Sequence, residues 1–275
     1  MQNTLRKFLP TEQILEKYFD QLWPICRSIT GDGLRDSFEM LSEIIPLEHT
    51  EVPTGTKVFD WTVPKEWNID DAFIKDSSGK RIVDLKNNLH VLGYSAPIDQ
   101  VMDLAELNKH LYSLPEQPTV IPYLTSYYKE RWGFCLTHQQ RQSLKPGQDR
   151  AVIRSQLKAG NLTYGHCFLP STTGSPNEIL ILTYLCHPSM ANNELSGPLV
   201  AAFLYESLKK LPMRKFNYRF VFVPETIGAI TYLAKCGEAL QKNCKAGFVV
   251  TCCGDEKKLS YKKVDKKPHR SIDVH

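Results

Sequence analysis

The chain has 275 residues, is 42% hydrophobic and 23% charged, and carries a formal net charge of +4. That is the composition of an ordinary soluble protein, long enough to bury a sizeable core in one large domain or two smaller ones. The small positive charge argues against a nucleic-acid surface, and no apolar run approaches the ~20 residues of a membrane span.

The opening "MQNTLRKFLPTEQILEKYFD" is charged and amphipathic without a long apolar centre, unlike a secretory signal. Helical spacing of apolar residues predicts one helix over 11–26 and a second over 33–45, with the polar turn "RSITGDG" between them. From about residue 50 the texture changes to short apolar pieces broken by Pro, Gly and Asp. "DAFIKDSSGKRIVDL", 71–85, predicts a hairpin around Ser78-Gly79. A short helix is predicted over 102–114, and a partly stranded, aromatic-rich segment over 123–137. The Tyr and Trp residues of that segment read as core and hairpin packing, with the lining of a pocket as the alternative. The whole stretch reads as a β-rich unit of its own.

After about residue 150 strands and helices alternate. "AVIRSQL" and "NLTYGHCFL" are predicted strands, and the unbroken apolar run "EILILTYL", 178–185, predicts a strand buried on both faces. "SGPLVAAFLYESLKKL" predicts a helix, with Pro198 in its first turn and an apolar stripe of Leu199, Val200, Phe203, Leu204 and Leu208. "NYRFVFV", "TIGAITYLAKCGEAL" and "AGFVVTCC" continue as strand, helix and strand. This alternation predicts a mainly parallel sheet with helices on both faces. The eight cysteines, at 26, 135, 167, 186, 236, 244, 252 and 253, include no Cys-x-x-Cys spacing. Free thiols in a reducing, cytoplasmic setting are expected.

Three strands in this half each run into a candidate ligand: His187 in "CHPSMANNELSG", Glu225 in "FVPETIGA" and Asp255 in "CCGDE". In an open parallel α/β sheet, ligands gather outside the carboxyl ends of the strands, and imidazole with carboxylate is what catalytic zinc takes. Taken singly, His187 and Asp255 also read as turn residues, and Glu225 as a carboxylate at a helix N-terminus. Elsewhere "ITGDGLRD" lacks the lysine of a phosphate loop, Ser196 lacks the context of a nucleophile elbow, and the basic tail "KKLSYKKVDKKPHR" reads as a solvated, frayed end.

Several motifs carry a family likeness: "LWPICRSITGDGLRDS", "EVPTGTKVFDWTVPKEWNI", "NLHVLGYSAPID", "IPYLTSYYKERWGFC", "GNLTYGHCFLP", "EILILTYLCHPSMANNELSGP", "FVPETIGAI" and "GFVVTCCGD". Through these the chain, from about residue 9 to about 262, resembles the aminopeptidase-like "polysaccharide biosynthesis" proteins of the zinc exopeptidase superfamily. The resemblance implies an aminopeptidase-like α/β domain over 1–55 and 150–275, interrupted by a β-rich insert over 56–149. It implies zinc, one ion or two, with His187 as first ligand, Asn193 where a metal-bridging aspartate is usual, and Asp255 as the next metal-binding carboxylate. Glu225 falls in the superfamily's glutamate pair, as general base. The neutral Asn193 argues for one ion over two. Pro224-Glu225 supplies one carboxylate where the pair has two.

The chain resembles the N-terminal two-thirds of such proteins, so a C-terminal part is expected to be missing. The sheet is then expected to end in an uncovered edge strand, with the chain forming a homo-oligomer or pairing with a missing C-terminal half. The implied activity is hydrolysis of a peptide or amide bond in a small peptide or an amidated sugar. The alternative is a catalytically degenerate relative whose cleft binds a glycan, a peptide or a partner protein.

Overall fold

In a computed structural model of the protein, residues 10–87, 91–255, 261–264 and 271–274 are described. Two amphipathic helices come first. Thr11 caps α1 (Glu12–Leu22) by accepting the Ile14 N–H, and the helix stops just before Pro24, which cannot extend it. The predicted span to 26 is therefore too long. The second helix, α2 (Asp32–Ser42), likewise ends short of the predicted 45.

Five strands come next: β1 (Glu48–Pro53), β2 (Lys57–Val58), β3 (Trp61–Thr62), β4 (Glu66–Lys75) and β5 (Arg81–Asp84). β4 and β5 form the predicted hairpin. Asp76 Oδ1 accepts the N–H groups of Ser78 and Lys80, and Gly79 turns the chain at φ +85°.

The helix predicted over 102–114 is shortened to residues 104–110, a single α-turn followed by a 3-10 turn. β6 (Ile98–Asp103) pairs with a later strand, and Asp103 caps the single turn α3 (Leu104–Leu107). β7 (Leu111–Tyr112) then pairs with β8 (Phe134–Cys135). Strand pairing across the fold outweighs the local helical spacing. Of the stretch 123–137 only β8 is strand. A capping box at Thr137 and Gln140 opens α4 (His138–Ser143).

The remaining elements are β9 (Gln148–Lys158), β10 (Asn161–Leu169), β11 (Glu178–Tyr184), α5 (Ser196–Lys209), β12 (Asn217–Val223), α6 (Ile227–Asn243), β13 (Cys244–Val249), β14 (Tyr261–Val264) and β15 (Ser271–Val274). β14 and β15 pair antiparallel, so part of the basic tail is strand rather than frayed end. Residues 256–260 and 265–270 of that tail lie outside the described residues. The strand predicted over 246–253 stops at Val249, because Thr251 to Asp255 form a turn.

The main sheet has the order β1-β10-β12-β11-β13. β12, β11 and β13 run parallel, and these are the strands of the predicted β/α alternation. β1 and β10 extend the sheet antiparallel on the β12 side. Helices cover both faces. Ile179 and Ile181 of β11 pack with α1, α2 and α5, while Leu180 and Leu182 face the layer that includes α6. The predicted stripe of α5 holds at Leu199, Phe203, Leu204 and Leu208 and fails at Val200. Val200 is exposed, and Ala202 and Tyr205 join Leu199 and Leu208 in the core. On the outer strand β13, Phe248 and Val249 are 58% and 66% exposed.

The second sheet, β5-β4-β9-β6, encloses a separate core that includes Ala72, Ile74, Val83, Leu107, Phe134 and Ile153. β9 runs to Lys158, across the expected boundary at 149/150. All eight cysteines are free thiols. Among the described residues no helix is long and apolar enough to cross a membrane.

One ion pair ties the two sheets to α2. Arg35 reaches Glu66 at 2.7 Å, and Glu66 also accepts the Asn161 N–H at 2.9 Å and the Asn68 amide at 3.2 Å. The Glu66 side chain is 9% exposed. The Arg35 hydrogen bond, partly opposed by burial, holds its carboxyl below the usual range. Glu66→Gln should therefore destabilise the fold by about 2 kcal/mol at neutral pH. Unfolded Glu titrates near ~4.3, so this contribution is present above that pH and fades as pH falls through the lower folded value. Denaturant melts at pH 7 and pH 3 test this. A wild-type advantage that grows on acidification would contradict it.

Candidate active site

Strand register brings His187 and Glu225 together. Tyr184 of β11 pairs with Val223 of β12, so the two candidates leave neighbouring parallel strands a few residues past a shared level. Leu185 N–H to Val223 C=O continues that pairing at 3.0 Å. Thr226 then takes φ 59°, ψ −78°, an unusual conformation for a β-branched residue, where the chain turns into α6. His187 Nε2 lies 3.1 Å from Glu225 Oε2. The imidazole is 9% exposed and the glutamate 48%.

Behind the imidazole a π-helical turn, Ala191–Leu195, delivers Asn193 and Glu194. Such turns recur at functional sites. Asn193 Oδ1 is 3.3 Å from His187 Nδ1, and the Asn193 amide donates to the Tyr184 hydroxyl at 3.2 Å. Glu194 is fully buried. Its Oε1 accepts the backbone N–H groups of Cys186 and His187, the latter at 2.6 Å. Its Oε2 sits 3.1 Å from His187 Nδ1, out of hydrogen-bonding line, with no hydrogen-bond partner among the described residues.

Gly197, at the start of α5, leaves the room this packing needs. A Cβ there would lie 2.3 Å from the Val250 carbonyl oxygen and 2.5 Å from Thr183 Oγ1.

The imidazole thus has carboxylate oxygen at both nitrogens. The Asn193 Oδ1 acceptor at Nδ1, with the Glu194 carboxylate close by, places a hydrogen there, which leaves Nε2 facing the Glu225 carboxylate. That contact is repulsive unless a proton or a cation lies between them. Burial opposes the imidazolium, but Glu194, Asn193 and Glu225 together outweigh it, and the His187 pKa is raised.

The remaining candidate, Asp255, stands apart. It lies six residues past Val249, is exposed, and accepts the Asn192 amide at 3.1 Å. The structure gathers His187, Asn193 and Glu225, and leaves Asp255 on the neighbouring turn.

Three tyrosines complete the cleft, whose volume is about 380 Å³. Tyr123, Tyr127 and Tyr128 line it with His187, Glu225 and Thr226. The Tyr123 ring lies 4.9 Å from the imidazole, and the Tyr123 and Tyr127 hydroxyls are 2.7 Å apart. Burial pushes the pKa values of both phenols up. Trp132 packs against the second core, as expected, while the tyrosines of the aromatic segment are thus cleft wall. The cluster of "YLTSYY" is the sequence signal for it.

Two charged residues at the site take roles that the sequence does not give them. Glu194 is legible there only as a carboxylate that could substitute for Asn193 as a ligand, at a different angle. Arg27 is 1% exposed and donates to the carbonyls of Leu22 and His187, at 2.7 and 3.2 Å. Burial lowers its pKa, and the charge of Glu194 counters that. Nothing in "PICRSIT" marks Arg27 as a buried counter-charge.

A family profile described as "Domain of unknown function (DUF4910)" matches residues 16–274. The chain belongs to this family. It is 49% identical over 245 residues to the "Putative polysaccharide biosynthesis protein with aminopeptidase-like domain" of Clostridium acetobutylicum. That match covers 89% of this chain and 56% of the relative, so the chain spans little more than half of that protein's length. A crystal structure named "putative peptidase", also from Clostridium acetobutylicum, superposes with a TM-score of 0.86 at 46% identity, over 93% of this chain and 59% of the other. BSAP, a zinc aminopeptidase from Bacillus subtilis, matches at TM-score 0.57 and 11% identity, over 90% of this chain and 70% of its own. At that identity the likeness shows the fold. This DUF4910 chain therefore has the aminopeptidase-like fold expected from its motifs.

The donors present suit zinc in kind. An imidazole nitrogen and a carboxylate oxygen face one point, with Glu194 behind the imidazole as the outer carboxylate that zinc-bound histidines commonly have. The distance between them, 3.1 Å, is close to the separation of two ligands on one tetrahedral zinc, about 3.3 Å for bonds near 2.0 Å. Ligand atoms of Cys186, His187 and Glu194 also lie within 4.8 Å of one another. However, Cys186 is fully buried, and burial with Glu194 nearby holds its thiol pKa well up. A protonated thiol is a poor ligand. Cys186 Sγ instead accepts the Glu225 N–H at 3.3 Å and steadies that turn.

Proposed function

We propose that this chain is a zinc-dependent hydrolase of the aminopeptidase type, acting on a peptide or amide bond. The observation that carries this is the His187 Nε2–Glu225 contact at the mouth of a tyrosine-walled cleft, with Glu194 buried behind the ring.

His187 would hold the ion, which would supply Lewis acidity toward water and the scissile carbonyl, with Glu225 beside it as the base. Asn193 and Glu194 fix the ring and keep Nε2 turned to the cleft. The Glu225 carboxylate takes a proton from the attacking water and returns it to the leaving amine. Tyr123 and Tyr127 keep their protons at neutral pH, and so can donate hydrogen bonds to a substrate while narrowing water access. Substrates of this class are a small peptide or an amide on an amino sugar.

One observation favours the second reading, a cleft that binds without turnover. Catalytic zinc takes three protein ligands, yet among the described residues two donors face the point between Nε2 and Glu225, and Asp255 is engaged by Asn192.

Zinc content separates the two readings. The chain, purified without chelator or histidine tag, is expected to carry one zinc by elemental analysis and to lose it in His187→Ala. A folded protein without zinc, still unable to bind added zinc, sinks the hydrolase reading and leaves the binding one.

A further inference from the structure

The second sheet carries a cavity of about 420 Å³ that shares no lining residue with the His187 cleft. It lies between the β4–β5 hairpin and the segment joining α4 to β9. Asp149 lines it and is 3% exposed. Asp149 Oδ2 is buried and has no hydrogen-bond partner among the described residues. A buried carboxylate without a donor is costly, and a cationic group entering the cavity beside Asp149 would offset that cost.

Asp76 lines the same space. Its Oδ1 accepts the Ser78 N–H at 2.9 Å, the Ser78 hydroxyl at 2.6 Å and the Lys80 N–H at 3.0 Å, which lock its position. Burial and the charge of Asp76 both push the Asp149 pKa up. An added cationic group would relieve both effects.

A bare divalent ion does not match the rest of the lining. Lys80, Arg81 and Lys145 are also there, Lys80 and Lys145 exposed at the rim. Arg81 is already held by Asp71 at 2.8 Å and Asp84 at 3.1 Å, which leaves the two lysines as the rim cations. The cavity therefore has a buried negative group in Asp149, a second carboxylate nearer solvent in Asp76, and exposed positive groups in Lys80 and Lys145. Its volume falls in the range of small-molecule sites.

We propose that this cavity binds a small zwitterion of the α-amino acid class, its ammonium on Asp149 and Asp76 and its carboxylate toward Lys80 and Lys145. Gln140, Ser77 and Ser143 add hydrogen-bonding side chains to the same wall.

Calorimetric titration of the full chain tests this with glycine, L-alanine, L-serine and L-glutamine, beside ethanolamine, acetate and calcium chloride. Saturable binding of at least one amino acid is expected, weakened at least tenfold in Asp149→Asn and in Lys80→Ala/Lys145→Ala, and retained in His187→Ala. The last variant separates this cavity from the cleft. Asp149→Asn removes a buried unpaired charge and is expected to melt no lower than wild type, so its loss of binding is not a loss of fold. Binding of calcium alone, binding unchanged in Asp149→Asn, or no binding by any amino acid overturns the proposal.

Discussion

Glu225→Gln is expected to lower turnover of an aminoacyl arylamide by about 10²-fold or more while zinc per chain stays unchanged. Glutamine matches glutamate in size and can keep its place 3.1 Å from His187 Nε2, but it cannot accept a proton from water. Glu225 is 48% exposed, on the cleft wall, so the substitution removes chemistry without opening the core. Steady-state rates and elemental analysis on the same preparation give the answer. Unchanged turnover removes Glu225 from the mechanism. Joint loss of zinc and turnover makes it a ligand and leaves the base to be found elsewhere.

Arg27→Met should destabilise the protein by about 3–5 kcal/mol, because it strands the fully buried Glu194 carboxylate without its counter-charge. The variant also deprives the carbonyls of Leu22 and His187 of a donor. For a chain of this size the melting temperature should fall by roughly 10 °C. Arg27→Met combined with Glu194→Met should recover only the part of that loss due to the stranded charge, because the Cys186 and His187 N–H groups and the Leu22 and His187 carbonyls still lose their partners. Melting curves of both variants decide the matter. A single variant within about 1 kcal/mol of wild type would show that Glu194 does not need Arg27.

The double variant also separates stability from function. It removes the stranded charge but leaves His187 Nδ1 without Glu194, so where it is folded it should bind zinc weakly, as histidine ligands do when their outer carboxylate is removed.

Much of the sheet and the outline of the site were legible in the sequence. β10 and β12 fall within the bounds that hydrophobic runs set, and β11 ends one residue early, at Tyr184. His187 and Glu225 are legible because each sits just past such a run, and parallel neighbours carry the residues beyond their carboxyl ends to one edge of the sheet. The same rule does not bring Asp255 beside them. It holds only for residues close to the strand end, and β13 stops at Val249, leaving a turn that carries Asp255 to Asn192.

What the sequence determined by itself is the set of local decisions. They are where apolar runs form strands, where Pro24 stops a helix, where Asp76 and Gly79 turn a hairpin, and the family its motifs declare. Tertiary structure decided what depends on partners distant in the chain. It trimmed the 102–114 helix to 104–110 between paired strands, turned β10 antiparallel to β12, and left Val200 of α5 facing out. It also set Arg27 and Glu194 as opposing charges behind His187 and brought Tyr123, Tyr127 and Tyr128 over it. The physical reason is range. Propensity, capping and turn chemistry act over a few residues, whereas strand pairing, burial and charge compensation depend on groups that only the closed fold brings into contact.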